Sequence, residues 1–381
     1  MGGLILAALL AGTVVCAAPQ YAIVTTTSDV YMTDYSKPDT APVEVSGSMI
    51  PPSITLGGVS LYNDYVFAAG STGTSGKLYI GRINASGLVP TIKWLKAVDL
   101  SVGANQVINP ASVAVDATGG VYVLNGGRPS TTYSSFAYLP SGSNWADAGL
   151  RIYSVPDTYN LADIATTGNA SEAVMAQTMY NAADRQAVYT WVEKVTSGGA
   201  STPQMTGDRG CLPSAITIGN GLAYIVNRST DDDGEGWIVD VGSISVVNAT
   251  SLASASATAY STGSFRPTDV SFFTIGTTNY LGMVGTGQNG AEARRVTLDA
   301  AGLPLMDSIV SVTLGISTSA HCAVSADNST FWITSNPGAG GTITALNTDW
   351  TSAVNWTVPG QTQYVTVYTV PEPGGLLALL T

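Results

Sequence analysis

The stretch Asn109–Asn125, NPASVAVDATGGVYVLN, decides the fold class of this chain. Two short runs rich in β-branched and aromatic residues flank the pair Gly119-Gly120. Such runs on either side of a glycine turn are the signature of a β-hairpin. The stretch therefore predicts two antiparallel strands joined by a tight turn.

Weaker copies of this unit recur along the chain at intervals of 51 to 54 residues. We aligned the copies on the residue that precedes the first strand of each. These anchor residues are Gly58, Ser112, Asp163, Ala215, Asp269 and His321. A period near fifty residues, with several short strands and Gly-rich turns in each unit, is typical of β-propeller blades. Six anchors predict at least six blades, stacked so that neighbouring sheets cover each other.

Further strand-like sequence lies outside the six units, at residues 21–34, 42–46 and 364–370. None of these segments forms a complete repeat, so each needs partners. We expect strands from both ends of the chain to share one split blade, because closing the ring removes two open sheet edges. The prediction is an all-β propeller over residues 19–370 with seven four-stranded blades, and with six blades as the alternative.

The charge balance of the chain excludes strongly anionic partners. The 381 residues include 26 acidic and 14 basic side chains, which gives a net charge of -12. Nucleic acid and anionic membrane surfaces would be repelled. Only 10% of the residues are charged, against roughly 25% in an ordinary soluble domain, so Ser, Thr, Asn and Gly must cover the surface.

Residues 3–18, GLILAALLAGTVVCAA, have the apolar core and small-residue end of a secretory signal peptide. We therefore assign residues 1–18 as a leader and expect the protein to be exported. An exported location would permit a disulfide between Cys211 and Cys322. The alternative, which we favour, is that both are small buried apolar residues.

Two parts of the sequence resemble known families. Residues 110–123 resemble the blade motif of NHL-type and related propellers. The end of the chain, residues 370–381, resembles the start of a bacterial PEP-CTERM sorting signal, with Pro371, Glu372 and Pro373 before a Leu-rich segment. That resemblance implies processing by an exosortase, a location at the cell surface or in the extracellular matrix, and membrane contact only through the leader or residues 371–381.

Enzymatic motifs are sparse. A nucleophilic triad normally needs a histidine base, and the chain has only His321. No Gly-x-Ser-x-Gly elbow is present, so we assign no catalytic residue. In the acidic run at 231–236, the carboxylates of Asp231, Asp233 and Glu235 could ligate calcium. A solvated acidic loop is the alternative, because Gly242 occupies the position where a helix-flanked calcium loop has its closing carboxylate.

The repeat alignment generates a second site hypothesis. Equivalent positions of successive blades surround one axis, so Asp163, Asp269 and His321 should approach the same mouth of the central channel. Arg266 and Arg209 precede the first strands of two blades and would add positive charge there. The alternative is that a wet channel mouth tolerates any polar residue.

These observations favour a non-catalytic, exported propeller that acts as a structural or binding scaffold at the cell surface. Its partners would be extracellular polysaccharide or further copies of itself, assembled into a surface polymer or filament. One alternative is a secreted propeller enzyme, such as a metal-dependent lactonase or a glycan-active lyase or hydrolase. Another is a calcium-dependent glycan-binding module.

Overall fold

The computed structural model describes residues 19–370 except 86–89, 103–105, 127–134, 156–158, 180–188, 232–237, 315–318 and 337–339. The predicted leader, residues 1–18, and the predicted sorting segment, residues 371–381, lie outside the described residues. Among the residues that are described, no helix has the length and apolar character needed to cross a bilayer.

The described residues form 30 strands in seven antiparallel sheets, which are the blades. The chain begins with β1 (Gln20–Thr26), β2 (Val30–Asp34) and β3 (Val43–Glu44). Blade 1 contains β4 (Thr55–Tyr62), β5 (Tyr65–Ser71), β6 (Gly76–Asn84) and β7 (Thr91–Asp99). Blade 2 contains β8 (Pro110–Val115), β9 (Val121–Asn125), β10 (Ser135–Leu139) and β11 (Arg151–Ser154). Between β10 and β11 lie a short helix, α1 (Gly142–Trp145), and one 3-10 turn (Asp147–Gly149).

The remaining strands complete five more blades. Blade 3 contains β12 (Tyr159–Thr166), β13 (Glu172–Met179), β14 (Thr190–Thr196), β15 (Gly199–Ala200) and β16 (Gln204–Met205). Blade 4 contains β17 (Gly210–Gly219), β18 (Leu222–Asp231), β19 (Ile238–Val239), β20 (Gly242–Asn248) and β21 (Tyr260–Gly263). Blade 5 contains β22 (Arg266–Ile275), β23 (Thr278–Gly287), β24 (Gly290–Leu298) and β25 (Pro304–Thr313). Blade 6 contains β26 (Ser319–Val324), β27 (Thr330–Ser335), β28 (Gly341–Asn347) and β29 (Ala353–Val358), and β30 (Thr362–Thr369) is the last strand.

The seven blades form a closed ring. The first strands of blades 1 to 6 contact one another in sequence order, β26 contacts β30, and β30 contacts β4. Blade 7 has the strand order β3-β2-β1-β30, so it combines three strands from the start of the chain with one from its end. The predicted all-β propeller with seven blades, closed by its terminal strands, is confirmed.

The hairpin of the Asn109–Asn125 stretch forms as predicted. β8 pairs with β9 in a register that places Val113 opposite Val123. Asp116 sets the turn, because its Oδ1 accepts the backbone N–H groups of Thr118 (2.8 Å) and Gly120 (2.9 Å). Its Oδ2 accepts the N–H of Ser171 in blade 3 (2.9 Å). The same carboxylate therefore shapes one blade and ties it to the next.

The hydrophobic core is divided into seams between blades. The described residues contain seven apolar clusters, one between each pair of neighbouring blades around the ring. In the seam between blades 6 and 7, Trp332 and Trp356 stack with ring centroids 5.5 Å apart. Burying one large apolar side chain contributes about 1.5–3 kcal/mol, and every seam holds several.

Near the axis, neighbouring backbones approach so closely that glycine is required. A Cβ atom on Gly57 would lie 2.5 Å from the carbonyl oxygen of Pro110. A Cβ atom on Gly58 would lie 2.7 Å from the backbone nitrogen of Val113 and 2.8 Å from the Cα of Ser112. These distances are shorter than real Cβ contacts, so strands β4 and β8 could not pack as they do with a larger residue at either position.

Replacing Gly58 with alanine should destabilise the propeller by about 1–3 kcal/mol, because the added methyl forces two innermost strands apart. Urea denaturation followed by tryptophan fluorescence measures the change. Gly142→Ala is the matched control, since a Cβ atom there meets nothing within 4 Å. An equal loss of stability in both variants would contradict the close packing of β4 against β8.

Candidate functional site

The anchor residues predicted from the repeat share a backbone feature. In each of blades 1 to 6, the register between the first and second strands shifts at or beside the anchor. In blade 1, for example, the shift falls between Leu56 and Val59, around Gly58. Such β-bulges redirect side chains and often lie next to functional sites. The repeat in the sequence and the bulge in the structure therefore mark the same position of the innermost strands.

Two anchors are aspartates that link neighbouring blades. Asp163 accepts a hydrogen bond from the hydroxyl of Ser112 in blade 2 (2.5 Å) and another from the N–H of Ile216 in blade 4 (3.1 Å). Asp269 Oδ2 accepts the N–H of Cys322 in blade 6 (2.8 Å). Each carboxylate thus joins its own innermost strand to a strand of an adjacent blade.

The sole histidine completes a contiguous polar set across blades 5, 6 and 7. His321 Nδ1 lies 3.0 Å from Asp269 Oδ2, and the imidazole stacks on the ring of Tyr364 with centroids 3.6 Å apart and planes 19° apart. When Nδ1 donates to the carboxylate, Nε2 is the remaining acceptor of the ring. We call Ser112, Asp163, Asp269, His321 and Tyr364 the channel set.

The carboxylates of the channel set perturb its titratable groups. Burial, and then the charge of Asp269, raise the pKa of Asp163 to about 6. Burial also raises the pKa of Tyr364, with further contributions from Asp163 and Asp269. The pKa of the Cys322 thiol is raised by burial and by Asp269. The two aspartates are therefore close enough to repel each other, and concentrated perturbation of this kind is typical of functional sites.

The structure thus brings Asp163, Asp269 and His321 together, as the repeat predicted. The two predicted arginines do not join them in hydrogen bonds. Arg266 pairs with Asp240 (2.6 Å), and both side chains are largely exposed. Arg209 instead borders a separate cavity on blade 4, beside Asp208.

The disulfide suggested by the sequence is not formed. Cys211 and Cys322 are both buried, and they are not joined to each other. They lie on the innermost strands of blades 4 and 6, and blade 5 stands between them. Each is a small buried residue, as the favoured alternative predicts.

The calcium hypothesis falls largely outside the described residues. Asp233, Glu235 and the side chain of Asp231 are not described. In the parts of the chain that are described, no three His, Cys, Asp or Glu side chains lie close enough together to hold a metal ion.

Sequence reasoning missed Tyr364 as a site residue. It lies 43 residues after His321, whereas the other anchors are at least 51 residues apart, because β30 closes the ring without preceding a complete blade. Its position in a predicted closing strand was the only signal that could have found it.

Two buried acids away from the channel set were also missed. Glu193 is 1% exposed, and burial raises its pKa to about 7 although Gln177 donates to it (3.1 Å). Asp208 is likewise 1% exposed, and burial raises its pKa above the usual value. Nothing in the local sequence around either residue distinguishes it from an exposed acid.

Comparison with solved structures supports the fold. A candidate 6-phosphogluconolactonase from Bacteroides fragilis superposes with a TM-score of 0.57 at 9% identity, covering 92% of this chain and 98% of its own. A second candidate 6-phosphogluconolactonase, from Bacteroides uniformis, gives a TM-score of 0.58 at 11% identity and covers 92% and 100%. The WD40 domain of Neurospora crassa Pan2 gives 0.51 at 8% identity and covers 84% and 82%.

At such low identities these similarities show the fold alone. No protein-family model matches the chain, and no curated protein matches it. The class of protein is therefore defined by architecture: this is a seven-bladed β-propeller, as the resemblance to NHL-type repeats implied.

The raised pKa of Asp163 predicts a specific pH dependence. The folded state binds this proton more tightly than the unfolded state, so the contribution of Asp163 to stability is greatest at low pH and is lost as the pH rises from about 4 to about 6. Two pKa units correspond to at most ~3 kcal/mol. Denaturation of the wild type and of Asp163→Asn at pH 4, 5, 6 and 7 measures this. The wild type should lose stability relative to the variant over that range, and a constant difference would contradict the raised pKa.

Proposed function

We propose that this propeller is exported and acts as a non-catalytic scaffold at the cell surface or in the extracellular matrix. In this role the ring presents a rigid, weakly charged surface to extracellular polysaccharide or to further copies of the chain. An exosortase-type machinery would process the segment that begins at Pro371.

The observation that supports this proposal is the hydrogen bonding of the two carboxylates of the channel set, Asp163 and Asp269. Every oxygen of Asp163 and Asp269 accepts a hydrogen bond, and for each residue one of these comes from the backbone of the next blade. A carboxylate whose oxygens all accept hydrogen bonds from the protein stabilises the contact between strands. Asp163 and Asp269, which a propeller enzyme would need as acids or bases at its channel, thus stabilise the contacts between blades.

Composition and sequence motifs support the location. The leader-like residues 1–18 predict export, and the motif Pro371-Glu372-Pro373 is typical of proteins sorted to the outside of polysaccharide-producing bacteria. The low content of charged residues, 10%, permits close contact between copies without repulsion between dense ionic surfaces.

The test is the native form of the protein on its producing cell. Immunogold electron microscopy of intact cells should show the wild type outside the cell, in ordered polymers or attached to matrix. A variant that lacks residues 3–18 should accumulate inside, and Glu372→Ala should alter retention at the surface. Wild-type protein found inside the cell, or only as free round monomers in the medium, would overturn the proposal.

One observation favours an enzyme as the second candidate. The pair of Asp269 and His321, with 3.0 Å between Oδ2 and Nδ1, has the geometry of an oriented general base. The two aspartates would repel a phosphorylated substrate such as the one implied by the names of the Bacteroides proteins. If the pair is catalytic, we expect a neutral lactone or glycan as its substrate.

The variant His321→Phe separates the two candidates. Phenylalanine retains a ring that can stack on Tyr364 but cannot accept or donate a proton. The scaffold proposal predicts that the wild type hydrolyses neutral lactones no faster than His321→Phe does, and that the wild type and the variant assemble equally. A rate for the wild type that exceeds the variant's by about 100-fold or more, the size expected of general-base catalysis, would favour the enzyme.

A further inference from the structure

The outermost strand of blade 6 has a free edge. This strand, β29 (Ala353–Val358, AVNWTV), pairs with β28 over its whole length without a register shift. In the described part of the chain, no strand pairs with its other side. An unpaired edge of this kind can add a strand from another molecule.

The hydrogen-bond pattern identifies the groups that form this edge. The N–H of Asn347 donates to the carbonyl oxygen of Ser352 (3.2 Å), one position beyond the last register pair of β28 and β29. Bonded and non-bonded pairs alternate in an antiparallel ladder, so every second residue of β29, beginning with the second, bonds to β28. The residues whose backbone groups point away from β28 are Ala353, Asn355 and Thr357.

These three residues are accessible from outside the protein. Each of them is exposed, whereas Trp356 and Val358 on the same strand are buried in the seam with blade 7. No backbone hydrogen bond among the described residues satisfies the outward groups. Three N–H and three C=O groups are therefore available to a second strand.

The outer strands of the other blades are protected from such pairing. In blades 2, 3, 4 and 7 they contain at most four residues. The outer strand of blade 1, β7, carries Lys93 and Lys96, and the outer strand of blade 5, β25, carries Asp307 and a register shift. Short strands, charges and bulges all prevent pairing between edges. β29 has neither a charge nor a bulge, and its six residues are enough to pair.

The charge distribution restricts what can cover this edge. The chain has a net charge of -12, so two copies repel each other over much of their surface. No charged residue occurs between Asp349 and Glu372. β29 therefore lies in a stretch of the chain where a second copy can approach without repulsion between charged side chains.

The edge of β29 is complementary to itself. When two copies pair antiparallel about a two-fold axis at Asn355, the outward groups of one strand oppose those of the other. Asn355 then lies opposite its own equivalent, and Ala353 lies opposite Thr357 of the second copy. Three pairs with two bonds each give about six hydrogen bonds. The two four-stranded sheets of blade 6 would become one continuous sheet.

We propose that β29 is a homodimer interface, through which two copies of the propeller pair edge to edge about a two-fold axis. This inference rests on the part of the proposed function in which copies of the chain associate, and it names the surface that they use. A two-fold contact closes on itself, so β29 alone produces dimers and a longer polymer requires a second contact.

The test is sedimentation equilibrium of the full chain over about 1–100 μM, because so small an interface gives a weak complex. The wild type should form a dimer that dissociates on dilution. Asn355→Lys places two like charges opposite each other at the axis, and it should raise the dissociation constant of the dimer at least tenfold. Ser261→Lys is the matched control, since Ser261 is an exposed residue of β21, the outer strand of blade 4. It should dimerise like the wild type.

A second variant guards against loss of folding. Thr357→Pro removes one outward N–H and no bond to β28, and proline is tolerated at such edge positions. It should weaken the dimer as Asn355→Lys does. Thermal denaturation verifies that each variant is folded, and Thr357→Pro decides the test if Asn355→Lys is unstable.

Cysteine crosslinking tests the register. Asn355→Cys should form a disulfide-linked dimer under mild oxidation, because Cα atoms of a bonded pair lie about 5.5 Å apart, within the span of a disulfide. Ser261→Cys, which retains the same native cysteines, should not.

Three results would overturn the proposal. One is that the wild type remains monomeric over the whole concentration range. Another is that Asn355→Lys and Thr357→Pro are folded and dimerise as strongly as the wild type. The third is that Ser261→Cys crosslinks as readily as Asn355→Cys. None of them would remove polymers seen on the producing cell by immunogold microscopy, so the scaffold proposal is tested separately.

Discussion

Each blade of this protein is a thin sheet with two apolar faces, and it can bury both of them only against its neighbours. The hydrophobic core is consequently a set of seven seams rather than one centre. A seam forms only if the blades on both sides are present and correctly spaced, so the stability of each blade depends on the completed ring. The glycines at positions 57 and 58, the bulges beside the anchors and the carboxylates of the innermost strands all serve this spacing.

Much of the fold could be predicted because its determinants are local and repeated. The hairpin of Asn109–Asn125 identifies a blade, and the period of its weaker copies identifies the ring. The split blade could be predicted because residues 21–34 and 364–370 have strand patterns but no partners within a repeat. The stacking of His321 on Tyr364 could not, because it depends on where β30 enters the ring. The burial of Glu193 and Asp208 could not be predicted either, because it depends on how the blades pack against each other and not on the residues adjacent in the sequence.

The channel set shows how one group of residues can support two interpretations. The pKa of Asp163 is raised, as is common for functional acids, yet Asp163 and Asp269 are both hydrogen-bonded links between blades. A link between strands requires a fixed acceptor, and an enzymatic base requires an accessible one. All four carboxylate oxygens accept hydrogen bonds, which favours the role of a fixed link. The side chain of His321 is 22% exposed, which leaves it accessible enough to act as a base.

The pairing of β1 with β30 has a consequence for the order of folding. The N–H of Tyr364 donates to the hydroxyl of Thr25, and 339 positions of the chain separate the two residues. During synthesis, β1 to β3 must wait with one unpaired edge until nearly all other strands have been made. Contacts this distant along the chain slow the folding of a protein, and an open edge invites association with other chains during the delay. The same junction that makes the finished ring durable therefore leaves the nascent polypeptide vulnerable until its last strand arrives.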